Sequence, residues 1–286
     1  MKTAVLGTGL MGAPLAMRLL SAGHDVHVYN RTREKAEPLG AGGAEVCDTP
    51  EQAIAGADFI ILMLADVRAI VEAALSEASM QALSGKTIMQ MATIAPAESR
   101  ELAAEFARHG AQYLEAPVLG SIPEARKGKL QIMAGGEAET YAHCLELLEE
   151  FGAPMLVGPV GQGAAMKLAM NQMIAALTSG FALSLGLVRK EGVEVEQFME
   201  VLRDSALYAP TFDKKLERML DRDFKNPNFP LKHLDKDVKL FLSAASVHTL
   251  SLSGLKGIEQ IIERGILEGL SDLDYSALYE VIDREK

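Results

Sequence analysis

The chain has little cysteine. Among 286 residues only Cys47 and Cys144 carry a thiol. Two such distant cysteines make neither a disulfide framework nor the paired spacing of a zinc site, and they read as reduced thiols of a cytoplasmic protein. The six histidines, His24, His27, His109, His143, His233 and His248, show no metal-ligand spacing, so no metal is expected. Basic charge is also in deficit. With 28 Lys and Arg against 39 Asp and Glu the net charge is −11, which excludes nucleic acid as a main partner. No charged segment followed by an apolar one opens the chain, so no signal peptide is expected. Internal repeats and low-complexity tracts are absent.

Only one hydrophobic run is long, 164–188. Lys167, Asn171, Gln172, Thr178 and Ser179 interrupt it, and Gly161, Gly163 and Gly192 flank it. A membrane span tolerates Lys167 and Asn171 poorly. The run is therefore expected to be a helix buried against another helix or subunit, with Met166, Met170 and Met173 as core packing. No membrane partner is expected, and a homodimer or homotetramer is.

What is present begins at residue 2. Lys2–Leu6 reads as a short strand, and Gly7-Thr8-Gly9-Leu10-Met11-Gly12 follows as a G-x-G-x-x-G loop. An apolar-periodic stretch with Leu15, Met17, Leu19 and Leu20 comes next. Strand, glycine loop and helix in this order define a dinucleotide site. Gly7 permits the tight turn, Gly9 admits the pyrophosphate, and Gly12 lets the helix lie against the strand. The second strand, 26–29, ends at Asn30-Arg31-Thr32-Arg33. A site selective for NAD places an acid here to accept from the ribose 2′-hydroxyl. Asn30 does not repel a phosphate, Thr32 offers a hydroxyl, and Arg31 suits bidentate phosphate recognition, which favours NADP over NAD. Arg33 is equally compatible with a solvated loop.

The first half alternates strands (2–6, 26–29, 59–64, 86–91, 112–114, 130–134 and 154–157) with helices (Pro50–Ala55, Ala69–Ser76, Ala97–His109 and Ala138–Glu149). That alternation gives a mostly parallel, doubly wound sheet. The continuous apolar run 59–64 reads as its central strand. Beyond Gly163 no strand pattern recurs. An α/β Rossmann domain over 1–162 and an all-helical domain over 163–286 are expected.

Gly158–Gly163 leads into the long helix, with Lys167 in its first turns and Asn171 four residues on. Residues at i and i+4 share a helix face. Desolvation and the helix N-terminus would both lower the lysine pKa from about 10.4, suiting it to proton transfer near neutral pH. A snorkelling lysine beside a backbone-bonded asparagine fits the same spacing.

Four ordered motifs resemble the β-hydroxyacid dehydrogenase family: Gly7–Ala16, Glu115-Ala116-Pro117-Val118, Gly161-Gln162-Gly163 with Lys167 and Asn171, and Lys236-Asp237. The resemblance implies a substrate cleft between the two domains, Lys167 as catalytic acid/base and Asn171 orienting substrate. It also implies cofactor contacts from Met63, Leu64, Ala65, Thr93 and Lys236, besides Gly7, Gly9, Leu10, Met11, Gly12, Asn30, Arg31 and Thr32. Asn30-Arg31-Thr32, Glu115 and Phe229–His233 resemble the branch of NADPH-dependent glyoxylate/succinic semialdehyde reductases. The substrate would then be a small carbonyl acid.

The substrate loop departs from the family pattern. Leu119 stands where the family has serine, and Ser121 replaces a glycine, while Gly120 is kept. Leu119 removes a hydroxyl donor from the position that, by the resemblance, would hold the substrate carboxylate, and the backbone donors at Gly120 and Ser121 remain. Oxidation of a 3-hydroxy acid such as 3-hydroxyisobutyrate uses the same residues. An imine reductase shares the architecture but usually lacks the lysine. A non-catalytic NADPH-binding protein is the reading from another class.

Overall fold

The computed structural model describes residues Met1–Arg284. It divides into two compact units, the first ending at Lys167 and the second beginning at Leu168.

The first unit is built on nine strands: β1 Lys2–Leu6, β2 Asp25–Tyr29, β3 Glu45–Val46, β4 Phe59–Leu62, β5 Thr87–Gln90, β6 Gln112–Glu115, β7 Val118–Leu119, β8 Leu130–Gly135 and β9 Gly152–Gly158. They run in the order β3-β2-β1-β4-β5-β6-β8-β7, with β9 paired to β8. From β3 to β6 all pairings are parallel. The sheet turns antiparallel at β6–β8 and β7–β8. This is the Rossmann strand order, reversing between β1 and β4.

Successive side chains of a strand point to opposite faces, and here both faces are covered. In β4, Phe59 and Ile61 enter one apolar cluster with Val5, Val26 and Val28. Ile60 and Leu62 enter the other with Ala4, Leu6 and Ile88. The expected strand 59–64 stops at Leu62, because pairing with β1 ends where Met63 N–H donates to Leu6 O. The next helix, expected at 69–76, spans Val67–Ala74 and begins earlier because Asp66 caps it, accepting from Ala69 N–H at 2.8 Å. The sequence reading passes over β3 and β7, which are two residues long and too short for an alternation pattern.

The second unit contains, among the described residues, helices and one isolated bridge, Pro230 to Asp274. Two apolar clusters form its core. One gathers Phe181, Leu185, Met199, Phe212 and Tyr279, the other Ala175, Leu231, Leu234, Val238 and Ile262. Beneath them, Lys215 donates to both carboxylate oxygens of Asp274 at 2.8 Å, with Asp274 fully buried. Burial pulls the Lys215 ammonium below its ordinary value while Asp274 raises it.

The long helix spans Gln162–Lys190. It is long and apolar enough to cross a membrane by composition, yet its buried share includes the polar side chains of Lys167, Asn171, Thr178 and Ser179. Met166, Met170 and Met173 are not core residues. They are 39%, 38% and 49% exposed, and Leu183 and Leu187 are 65% and 61% exposed. Methionines at i, i+4 and i+7 lie on one face, and the core takes another, through Ala175, Ala182 and Leu185.

Replacing Lys215 with Met leaves the Asp274 carboxylate buried without its counter-charge. This should cost about 3–5 kcal/mol of stability, read as a lowered midpoint in urea, because an uncompensated buried charge costs more than the pair gains.

Candidate functional site

The loop after β1 is tight at both ends and open in the middle. Gly7 has φ +98°, and a Cβ there would run into the Met63 carbonyl oxygen. A Cβ on Gly12 would strike the Gly7 carbonyl oxygen, whereas one on Gly9 would meet nothing within 4 Å. The helix Gly12–Ser21 starts with no side-chain cap and no acid in its first turn. Its leading N–H groups and the space over Gly9 suit a pyrophosphate. Thr8 Oγ1, buried beside them, has no hydrogen-bond partner. A dinucleotide therefore fits this cradle, with Leu10 exposed and Met11 packed against the core.

Asn30 braces the cradle. Its Oδ1 accepts from Thr8 N–H at 3.1 Å, and its Nδ2 donates to Thr32 O at 2.8 Å. Of the two arginines that follow, Arg33 is engaged by Asp48 and by Glu37 at 3.4 Å. The Arg31 side chain is 87% exposed, with Glu72 at 4.0 Å. Met63, Leu64 and Ala65 follow β4, and Thr93 follows β5. The structure thus brings these predicted cofactor residues to loops at the carboxyl ends of β1, β2, β4 and β5, where ligands bind in open parallel sheets.

Glu115, at the end of β6, is the most connected acid of the first unit. A single carboxylate oxygen accepts from Gly161 N–H at 2.7 Å, Gly163 N–H at 2.8 Å and Ala164 N–H at 3.3 Å. The other oxygen accepts from Ser99 Oγ at 2.5 Å. The carboxylate thus occupies the N-terminus of the long helix, where the unsatisfied donors and the helix dipole favour negative charge. Burial still raises its carboxyl above the ordinary glutamate value, and the hydrogen bonds only oppose that shift. The helix start runs close over β8, since a Cβ on Gly163 would meet the Met133 carbonyl oxygen.

Lys167 lies one turn further along this helix and is only 8% exposed. Asn171, 2% exposed, donates through Nδ2 to Asp237 at 2.5 Å. Asp237 is itself buried, and its other oxygen lies 3.4 Å from Lys236 Nζ. The motif Lys236-Asp237 therefore divides its work, the acid holding both the asparagine and the neighbouring lysine. The bond from Asn171 to Asp237 spans 66 positions and leaves no local signal in the sequence.

The substrate loop is more committed than its sequence suggests. Leu119 closes β7, Gly120 has φ +129°, and Ser121 begins the short helix Ile122–Arg126. Ser121 donates both its N–H, at 2.9 Å, and its hydroxyl, at 2.7 Å, to the Glu124 carboxylate. The backbone donor expected at Ser121 is already in use, because Glu124 forms a capping box with it.

Fold and cradle together define a dinucleotide-dependent oxidoreductase. Residues 2–161 match the model of the NAD binding domain of 6-phosphogluconate dehydrogenase. Residues 161–282 match the NAD-binding model of NADP-dependent 3-hydroxyisobutyrate dehydrogenase. The chain is 34% identical to glyoxylate/succinic semialdehyde reductase 2 of Arabidopsis thaliana over 98% of its own length and 79% of that protein's. It is 32% identical to 2-hydroxy-3-oxopropionate reductase of Escherichia coli, covering 99% and 97% of the two chains. The 3-hydroxyisobutyrate dehydrogenase of Mycobacterium tuberculosis with L-serine superposes with a TM-score of 0.88 at 25% identity, over 100% of each chain. The chain belongs to the 3-hydroxyisobutyrate dehydrogenase family and is an NAD(P)-dependent oxidoreductase acting on CH–OH groups.

Glu115→Ala leaves three buried N–H groups without an acceptor and opens a void. It should lower stability by about 3 kcal/mol, while Glu115→Gln, which keeps an acceptor, should lose far less. Because the Glu115 pKa is raised in the folded state, wild type should lose stability relative to Glu115→Gln as pH climbs from the ordinary glutamate value through the raised one. Urea titrations across that range check both.

Proposed function

We propose that this enzyme reduces small aldehyde or keto acids of the glyoxylate or succinic semialdehyde type to the hydroxy acid, with NADPH as the preferred reductant. The observation that carries the reading is the pair Lys167 and Asn171, two almost fully buried polar side chains four residues apart on one apolar helix. Burying polar groups at such a position costs free energy that packing alone does not justify. The activities named for the Arabidopsis and Escherichia coli relatives support the substrate class.

Bound NADPH supplies the hydride, and the protein supplies placement and electrostatics. Lys167 Nζ donates a proton to the substrate carbonyl oxygen as negative charge develops there, an interaction strongest in the transition state. Asn171, its amide fixed by Asp237, orients the substrate. The Gly120 N–H holds the substrate's far end beside Leu119 and Ser121. Arg31 and Thr32 bind the 2′-phosphate, and Lys236 adds a positive charge toward the cofactor. NAD is accepted less well, because Asn30 gives the ribose hydroxyl no carboxylate. A homodimer or homotetramer covers the apolar side chains left exposed on the long helix, and a cytoplasmic setting keeps Cys47 and Cys144 unbridged.

Lys167→Ala should lower kcat on an acid aldehyde by about 10²–10⁴-fold with NADPH binding retained. Loss of cofactor binding, or unchanged turnover, would remove the lysine from this role. Arg31→Ala should raise the KM for NADPH by about tenfold and leave that for NADH unchanged, since a guanidinium gains most from a doubly charged phosphate. Initial rates against glyoxylate, succinic semialdehyde and uncharged short aldehydes test the substrate class. A preference for the uncharged compounds would show that Leu119 and Glu124 have excluded the carboxylate.

A further inference from the structure

His27, Glu45 and Cys47 are scattered in the sequence and meet in the fold. The parallel register of β2 and β3 sets His27 opposite Glu45. Two residues beyond Glu45, Cys47 N–H donates to Val28 O at 2.9 Å, which turns the thiol to the same side. His27 Nδ1 lies 3.4 Å from Glu45 Oε2 and 4.0 Å from Cys47 Sγ. The three ligand atoms all fall within 4.8 Å of one another.

We propose that His27 Nδ1, Cys47 Sγ and Glu45 Oε2 form a binding site for a zinc-class divalent cation, with water as the fourth ligand. A tetrahedral ion about 2.0–2.1 Å from nitrogen and oxygen and about 2.3 Å from sulfur needs ligand atoms about 3.4–3.6 Å apart. The imidazole-to-carboxylate distance already meets this, and the thiol needs only a small movement. A thiolate and a carboxylate neutralise the dication, which suits a half-buried site. The mixture of sulfur, nitrogen and oxygen favours zinc over magnesium or calcium.

The ring is prepared for this role. It is wedged against Gly56, where a Cβ would collide with Cε1, so its orientation is fixed. On its far side Asp25 Oδ1 lies 3.7 Å from Nε2. At that distance Asp25 is an electrostatic neighbour of Nε2 rather than a hydrogen-bond acceptor, and its charge favours the tautomer that leaves Nδ1 facing the ion. The ion would take Cys47 as its thiolate, so binding releases a proton. None of the three ligands is a cradle residue, and the site is independent of the substrate reading.

The test uses the whole chain without a polyhistidine tag, stripped with a chelator and titrated with Co²⁺ and then Zn²⁺. One Co²⁺ per chain is expected, with a sulfur-to-cobalt charge-transfer band that Zn²⁺ abolishes. Cys47→Ser should remove the band and Cys144→Ser should keep it. Glu45→Gln changes an exposed side chain and should not disturb folding; it should weaken binding by at least about tenfold. Asp25→Asn should weaken it by about tenfold and leave the band in place. Absence of the band in wild type, its survival in Cys47→Ser, or unchanged affinity in Glu45→Gln would each overturn the proposal.

Discussion

One carboxylate oxygen organises the end of the first unit where the long helix begins. Glu115 Oε1 satisfies three N–H groups around the start of the long helix, and its partner oxygen is held by Ser99. A helix that begins inside a protein must find acceptors for these donors. Supplying them from the end of a sheet strand fixes where the helix starts and how it is rotated. Lys167 projects from the next turn, so its position follows from Glu115. The cost is a desolvated carboxylate, visible in its raised pKa.

The same economy appears in the nucleotide cradle. Asn30 is a cofactor-side residue by position, and it is also the brace between Thr8 N–H and Thr32 O. An aspartate there would keep one acceptor and lose the donor, so the amide is what ties both sides of the loop together. Asn171 and Asp237 repeat this arrangement in the second unit, where a buried amide is oriented by a buried acid. Buried polar pairs of this kind hold one geometry, because any other leaves a group unsatisfied.

Much of this was legible from residue order. The run 59–64 announces a strand covered on both faces, and the glycine loop between strand and helix announces the cradle. Lys167 and Asn171 stand out because they are polar in an apolar helix. Other features depend on non-local pairing that no local pattern encodes. The methionines of the long helix look like core residues by type and turn out exposed, since helix rotation is set by packing. Ser121 looks like an available donor until Glu124 folds back upon it. Asp237 looks like a partner for its neighbour Lys236, and its bond to Asn171 crosses 66 positions.

By itself, the sequence determined the order of elements, the dinucleotide loop and the family, because these rest on local backbone preferences and on hydrophobic period. Only the tertiary structure decided which groups meet. Strand register set His27 opposite Glu45 and brought Cys47 beside them, although the cysteines and histidines show no metal spacing along the chain. Register and helix rotation are fixed by which faces can be buried together, a property of the whole packed unit rather than of any stretch of it.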